Sequence, residues 1–136
     1  MHGGVDVYAA HASVRIDAEF GGKGRFRMKT SYPLEFWTDT NHRELGLTID
    51  EIREQIDALD DELLKIFNRR AALALAIGEI KKTEGRAVYD PNREQNIFDR
   101  MQASNPGPLD NGAIVRLYER VIDETRRLER IRTKGE

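Results

Sequence analysis

The sequence predicts an all-α protein organised around one long helix, and three observations support this. Apolar side chains recur at alternating steps of three and four residues from Ile49 to Ile80, the pattern of a helix that packs against other helices. Neither proline nor glycine occurs from Ile49 until Gly78. Charged residues make up 34% of the chain and hydrophobic residues 39%, a balance typical of amphipathic helices. We therefore expect a three-helix protomer whose first helix is the longest.

Residues 1–46 differ from the rest of the chain and are expected to form an irregular or partly disordered extension. They contain the only tryptophan and all three histidines, and the histidines lack the spacing of metal ligands. Alternating apolar residues make two short strands possible, from Val5 to Ala9 and from Val14 to Phe20. The alternatives are an appendage that packs on the helices or on a partner, and a later start of the chain at Met28.

The long helix is expected to begin at Thr48 or Asp50, whose side-chain oxygens can cap the first free amides. Its expected end is near Gly85, since glycine commonly follows the last helical residue. A helix of this length spans roughly 50 Å, which is more than the width of one domain of this size. Its apolar seam is best buried against a second copy, so we expect a homodimer.

Two shorter helices follow, and an aspartate that can cap the N-terminus precedes each of them. The first begins at Asp90-Pro91, with proline at the first helical position. The second begins at Asp110, after a break rich in proline and glycine. The expected boundaries are a helical domain at 47–132 and a tail at 133–136, with helix ends near Ala103 and Arg132.

The composition argues against several classes of protein. The chain has no cysteine, which excludes disulfides, thiolate catalysis and cysteine metal sites. Its net charge of −2 gives no field that would attract nucleic acid or an anionic membrane. No apolar run reaches the length of a membrane span, and the N-terminus lacks the pattern of a secretory signal. We expect a cytoplasmic protein.

Arg70 occupies one position of the apolar seam, and no acidic residue shares that seam. A cation in apolar surroundings is costly unless it is paired, so Arg70 is expected to bind an anion. One stripe of the helix carries Arg70, Ala74, Gly78 and Lys81. Its two cations are roughly 16 Å apart along the axis and enclose a trough that suits a dianion. The alternative is a solvated Lys81 and a Gly78 that only permits close packing.

Two other groups of polar residues lie on the shorter helices. Asp90, Arg93 and Glu94 occupy one turn at the start of the second helix. On the third helix, Thr125 and Glu129 are four residues apart and share a face. The alternative is that Asp90 only caps its helix and that the other charged residues face solvent.

Three segments in order resemble the all-helical (AroQ-class) chorismate mutases. The segment from Ile52 to Lys81 is similar to the first helix of that family, VYDPNRE to the start of its second helix, and LYERVIDETRRLE to its third. The resemblance covers about residues 48–132. It implies an intertwined homodimer that rearranges chorismate to prephenate, in phenylalanine and tyrosine biosynthesis, with no cofactor or metal. Because the sequence stops at Glu136, we also expect a monofunctional enzyme.

The resemblance implies substrate-binding roles for three cations of the first helix. Arg70 would bind a substrate carboxylate. Lys81 would contact a carboxylate and the ether oxygen whose bond breaks. Arg53 would reach into the site of the partner subunit, because it points about a quarter-turn away from Arg70 on the same helix.

The resemblance also implies roles for the two shorter helices. Asp90, Arg93 and Glu94 match the start of the family's second helix, where the glutamate holds the substrate hydroxyl. Thr125 matches a small hydroxyl residue of the third helix, and Glu129 a glutamine or glutamate that faces the ether oxygen. An ionised carboxylate donates no hydrogen bond, so we expect Glu129 to work protonated. The alternative is a surface ion pair between Glu129 and Arg126 or Arg132.

Two other functions remain open at this point. The same fold with a similar set of cations also supports isochorismate-pyruvate lyase activity. The second alternative is a non-catalytic helical dimerisation module whose cations bind another partner. Such a module would convert neither chorismate nor isochorismate.

Overall fold

The computed structural model of the chain describes residues 5–9, 12–16, 19–21, 25–27, 32–39 and 41–135, the first four segments by their backbone alone. These residues form four strands and four helices. The chain divides into two compact units, residues 1–63 and 64–136, and the boundary between them falls inside the longest helix.

The first unit begins with two antiparallel hairpins. Strand β1 (Val5–Ala9) pairs with β2 (Ala12–Ile16), and β3 (Glu19–Gly21) pairs with β4 (Arg25–Arg27). The first predicted strand is found, whereas the second predicted run divides into β2 and β3. Both hairpins lie in the segment that the sequence analysis assigned to an irregular or partly disordered extension. The all-α description applies to residues 49–134.

A short helix and a small aromatic cluster follow the hairpins. Helix α1 (Leu34–Asp39) carries Phe36, which is completely buried. The ring of His42 stacks on Trp37 with 5.2 Å between ring centroids, and its Nε2 lies 3.0 Å from the carbonyl oxygen of Phe36. Partly buried side chains around Phe36 are Tyr32, Trp37, Leu45 and Leu47. The sequence did not predict α1, because six residues are too few to show a helical period.

Helix α2 (Ile49–Thr83) is the long helix that the sequence predicted. Its N-terminus is a capping box, in which the backbone N–H of Glu51 donates to Thr48 Oγ1 at 3.2 Å. The backbone N–H of Thr48 donates in return to Glu51 Oε2 at 2.7 Å. Two amides that have no partner within the helix are thereby satisfied, and Thr48 rather than Asp50 is the cap.

The C-terminus of α2 is closed by a Schellman motif centred on Gly85. The backbone N–H of Arg86 donates to the carbonyl of Lys81 at 2.8 Å, and that of Gly85 to the carbonyl of Lys82 at 3.3 Å. This motif needs a left-handed residue after the helix, and Gly85 has a φ of 66°. The chain therefore turns away directly after α2, with Lys81 held in its last turn.

The apolar seam of α2 remains open in the single chain. None of the 35 residues of this helix is buried. Except for the half-buried Ile52, the large seam side chains keep between 45% (Leu63) and 68% (Ile49, Leu73) of their surface exposed. The half-buried stripe is instead the one through Ala74 and Gly78. The seam thus adjoins the half-buried stripe on α2, and Arg70 belongs to both.

Helices α3 (Pro91–Ser104) and α4 (Asn111–Lys134) complete the second unit. Asp90 Oδ1 accepts the backbone N–H of Arg93 at 3.0 Å, and Asp110 Oδ1 that of Ala113 at 2.7 Å. Both predicted caps are confirmed. The two helices pack together around Ile97 and Ile122, which are the buried residues of this unit. Thr133 and Lys134, which had been assigned to the tail, continue α4.

Candidate active site

A cavity of about 360 Å³ lies among α2, α3 and α4 in the second unit. Its wall contains seven of the eight site residues predicted from the sequence, namely Arg70, Lys81, Asp90, Arg93, Glu94, Thr125 and Glu129. Its apolar lining is Leu73, Ala74, Ile77, Val88, Ile97 and Ile122. Charged and polar groups from three helices therefore surround one apolar floor, as in most small-molecule sites.

Arg53 is the predicted site residue that this cavity does not include. It belongs to the first unit and precedes Arg70 by seventeen residues of α2. Its guanidinium Nη1 lies 3.6 Å from Asp50 Oδ1, and 70% of its side-chain surface is exposed. An exposed pair of this kind contributes little, so the guanidinium of Arg53 is available to another chain.

The stripe of α2 that the sequence singled out forms one wall of the cavity. Arg70 is half-buried there, and among the described residues its guanidinium has no hydrogen-bond or ion-pair partner. Lys81 Nζ donates to the carbonyl oxygen of Val88 at 3.4 Å, a long and weak bond. Both cations therefore keep most of their capacity to bind an anion.

Gly78 brings α2 close to the carboxyl group of Glu129. A Cβ added to Gly78 would lie 4.0 Å from both Cδ and Oε1 of Glu129. This is an ordinary van der Waals distance. The glycine thus leaves open space in the middle of the trough, between the two cations of the stripe.

Burial raises the pKa of the Glu129 carboxyl above its ordinary value. Desolvation is the largest cause, and the positive charges of Lys81 and Arg126 oppose it. A raised pKa favours the protonated form, which has an O–H to donate. The alternative ion pair with Arg126 is not what the structure shows, since Arg126 pairs with Glu94 and Asp123.

The remaining predicted residues have partners of their own. Asp90 caps α3 through Oδ1, as its alternative interpretation expected, and its side chain also borders the cavity. Glu94 Oε1 accepts a hydrogen bond from Arg126 Nη2. Thr125 Oγ1 donates to the carbonyl of Val121 at 2.9 Å, a common habit of threonine in helices. Its hydroxyl must therefore rotate before it can donate to a ligand.

Two side chains with polar groups in the cavity wall were not predicted from the sequence. Arg126 and Tyr89 both line it, and the Cζ atom of Arg126 lies 5.0 Å from the centroid of the Tyr89 ring. A signal for Arg126 existed, because it follows the inward-facing Ile122 by four residues and so shares its side of α4. No pattern in the sequence indicated that Arg126 pairs with Glu94 or lies over the ring of Tyr89.

Within the described residues, no group of three or more histidine, aspartate or glutamate side chains is placed to hold a metal ion. His2 and His11 lie outside those residues. Among the helices that the structure describes, none combines the length and the apolar character needed to cross a membrane.

The arrangement of the cavity defines the chemistry that it can perform. Arg70 and Lys81 offer positive charge to a ligand that carries two separated negative groups. Lys81 and a protonated Glu129 both have hydrogen atoms to donate, and they stand close enough to influence each other electrostatically. Such donors stabilise an oxygen atom that gains negative charge during a reaction.

Comparison with known proteins gives a consistent result. The model of the family "Chorismate mutase type II" matches residues 52–130. A bifunctional chorismate mutase/prephenate dehydratase from Neisseria gonorrhoeae is 44% identical over 90 residues, which cover 63% of this chain and 24% of that protein. A chorismate mutase from Methanocaldococcus jannaschii is 31% identical over 81 residues, which cover 59% of this chain and 82% of that protein.

Solved structures agree with these sequence matches. The structure of chorismate mutase (form II) from Thermus thermophilus superimposes with a TM-score of 0.59 at 29% identity, covering 60% of this chain and 93% of that one. The chain spans about a quarter of the length of the bifunctional relatives it matches. The matched segment contains α3 and most of α2 and α4, and the chain belongs to the chorismate mutase type II family.

Proposed function

We propose that this chain is a chorismate mutase, which rearranges chorismate to prephenate in the biosynthesis of phenylalanine and tyrosine. Family membership supports this proposal. The observation that carries it is the cavity of the second unit, in which seven side chains of the family pattern surround one apolar floor. The proposed catalytic domain is residues 47–132.

The reaction is unimolecular and pericyclic, so it needs neither a nucleophile nor a cofactor. The protein has to hold the two ends of the substrate near each other, which removes much of the entropic part of the barrier. In our proposal Arg70 and Lys81 bind carboxylates of the substrate, and Arg93 and Thr125 border the same groups. Glu94 accepts a hydrogen bond from the substrate hydroxyl at Oε2, since its Oε1 already accepts one from Arg126.

The bond that breaks leaves negative charge on the ether oxygen of the substrate. We propose that Lys81 donates to this oxygen from one side and a protonated Glu129 from the other. Both residues line the cavity of the free protein, which supports a mechanism that needs little reorganisation when charge develops. The raised pKa of Glu129 supports this role, because only the protonated carboxyl donates a hydrogen bond.

We further propose that the active form is an intertwined homodimer of three-helix protomers. The exposed seam of α2 supports this, since an apolar face of this length is the usual interface of paired helices. In such a dimer Arg53 of each chain would complete the site of the partner subunit. Its own exposed position and weak local ion pair are consistent with that role. The cytoplasmic location stays a prediction from the sequence.

The first experiment is to incubate the purified chain with chorismate and to identify the product by chromatography. We expect prephenate, and we expect Arg70→Ala to reduce kcat/KM by roughly 10²–10³-fold. Arg69→Ala is the matched control, because Arg69 is the neighbouring residue on α2, is exposed and does not line the cavity.

Two results would contradict the proposal. Turnover of isochorismate but not of chorismate would identify a lyase on the same fold. An absence of turnover with both substrates would leave a dimerisation module.

A further inference from the structure

Arg126 links three elements of the cavity wall. It lies on α4, its Nη2 donates to Glu94 Oε1 on α3, and its guanidinium lies over the ring of Tyr89 in the segment between α2 and α3. A planar guanidinium can form an ion pair along its edge and stack on an aromatic ring with its face, whereas an ammonium group cannot do both in the same way.

We propose that Arg126 is a positioning residue for the rearrangement, which fixes the carboxylate of Glu94 and the ring of Tyr89 at the rim of the cavity. This inference rests on the proposed function, because Glu94 is there the acceptor for the substrate hydroxyl. With Oε1 bound by Arg126, Glu94 presents Oε2 alone, in one orientation.

The pair between Arg126 and Glu94 is sheltered from solvent, with side chains that are 34% and 22% exposed. In contrast, at least one partner is more than 60% exposed in the pairs Arg53–Asp50, Arg86–Glu84, Arg120–Glu124, Arg126–Asp123 and Arg127–Glu124. Charges that are partly removed from water interact more strongly. Loss of one partner leaves the other without compensation. Glu94 without Arg126 would therefore turn towards solvent or towards another cation.

Positioning describes Arg126 better than direct substrate binding. The charge of Arg126 is already compensated by Glu94. A second carboxylate, that of Asp123, lies with its Oδ1 3.9 Å from Nη1 of Arg126. Arg70 in the same cavity has no such partner among the described residues. A substrate carboxylate would thus have to compete with Glu94 for Arg126, but it meets no competitor at Arg70.

Arg126 also acts on Glu129, which follows it by one helical turn. Its positive charge lowers the pKa of Glu129 against the larger effect of desolvation. Other charged or titratable residues line the same cavities as Glu129. They are Arg70, Glu79, Lys81 and Lys82 on α2, Arg86, Tyr89 and Asp90 after it, Arg93 and Glu94 on α3, and Arg130, Arg132 and Lys134 on α4. Removal of the charge of Arg126 should therefore raise the pKa of Glu129 further.

The test compares Arg126→Met and Arg126→Lys with Arg127→Met in the chorismate assay. Arg127 is the matched control, since it is the next residue on α4, is 68% exposed and pairs only with Glu124. We expect Arg126→Met to lose roughly 10- to 100-fold in kcat/KM, mainly in kcat, because misplaced groups cost rate rather than binding. The alkaline limb of the pH–rate profile of Arg126→Met should move to higher pH, because the pKa of Glu129 rises. Arg126→Lys should recover part of the rate, and it serves as the test variant should Arg126→Met not fold.

A double-variant cycle distinguishes positioning from a general structural role. If Arg126 acts through Glu94, Arg126→Met should cost little in a chain that already carries Glu94→Gln. An Arg126→Met loss that is fully retained in that background, or wild-type kinetics in both Arg126 variants, would overturn the inference alone. A wild-type chain that does not convert chorismate refutes the proposed function itself, and the inference with it.

Discussion

Replacing Glu129 by glutamine should change how the rate of chorismate conversion depends on pH. In the proposed mechanism the donor is the protonated carboxyl, whose pKa is raised by desolvation and partly lowered by Lys81 and Arg126. The amide of glutamine carries its hydrogen atoms at every pH. The wild-type rate should therefore fall as the pH rises through the pKa of Glu129, and the Glu129→Gln rate should not.

The size of the effect follows from the titration of a single group. Above the pKa, the protonated fraction falls about tenfold per pH unit, equivalent to about 1.4 kcal/mol of donor availability per unit. The logarithm of kcat/KM should then decline with a slope of −1. A bound dianion neutralises Lys81 and adds negative charge, and both changes raise the pKa of Glu129. The alkaline limb of kcat should therefore lie at higher pH than that of kcat/KM.

The assay is initial-rate kinetics from acid to alkaline pH for the wild type, Glu129→Gln and the exposed control Glu119→Gln. Unfolding measurements give an independent check. The folded pKa of Glu129 exceeds the unfolded value, so its stabilising contribution is complete below the unfolded pKa and is lost as pH rises through the folded one. Glu129→Gln should thus gain stability relative to wild type on moving to neutral pH. If the Glu129→Gln variant keeps the pH–rate profile of the wild type, the reasoning is refuted.

Three further predictions concern the dimer and the trough. Arg53→Ala and Arg70→Ala should each lose most of their activity, but subunit exchange between them should restore about one quarter of wild-type activity, because half of the dimers regain one complete site; no recovery would show that Arg53 does not act across the interface. Gly78→Ala should raise the free energy of unfolding by about 0.5–1 kcal/mol in a urea titration, since its methyl group meets Glu129 at an ordinary distance. Gly78→Leu should abolish turnover by filling the trough, and full activity in that variant would refute the trough.

The helix ends show how far the sequence determines the fold. Thr48, Asp90 and Asp110 each cap the helix that their position predicted, because capping depends only on residues three or four positions apart. Gly85 ends α2 for the same local reason. The stripe through Gly78 was also predictable, since helical spacing alone places its members on one side of α2.

The parts that the sequence did not reveal depend on contacts between distant segments. Arg126 was considered only as a surface partner of Glu129, whereas it pairs with Glu94, which lies 32 positions earlier in the chain. The donation from Thr125 to Val121 is local, but threonine has several rotamers and the sequence does not choose among them. Helix α1 carries the buried Phe36, and this burial requires side chains from other positions around it, which the sequence of α1 alone does not indicate.

The Schellman motif at the end of α2 has a consequence for the mobility of Lys81. The last turn of a helix ordinarily frays, and the backbone of a residue there samples many conformations. In this chain the carbonyl of Lys81 is held by the amide of Arg86, so the backbone of the lysine is immobilised before any ligand arrives. The conformational entropy of that turn is then lost during folding rather than during binding. If Lys81 binds the substrate as proposed, Gly85 outside the cavity thereby contributes to the affinity of the site inside it.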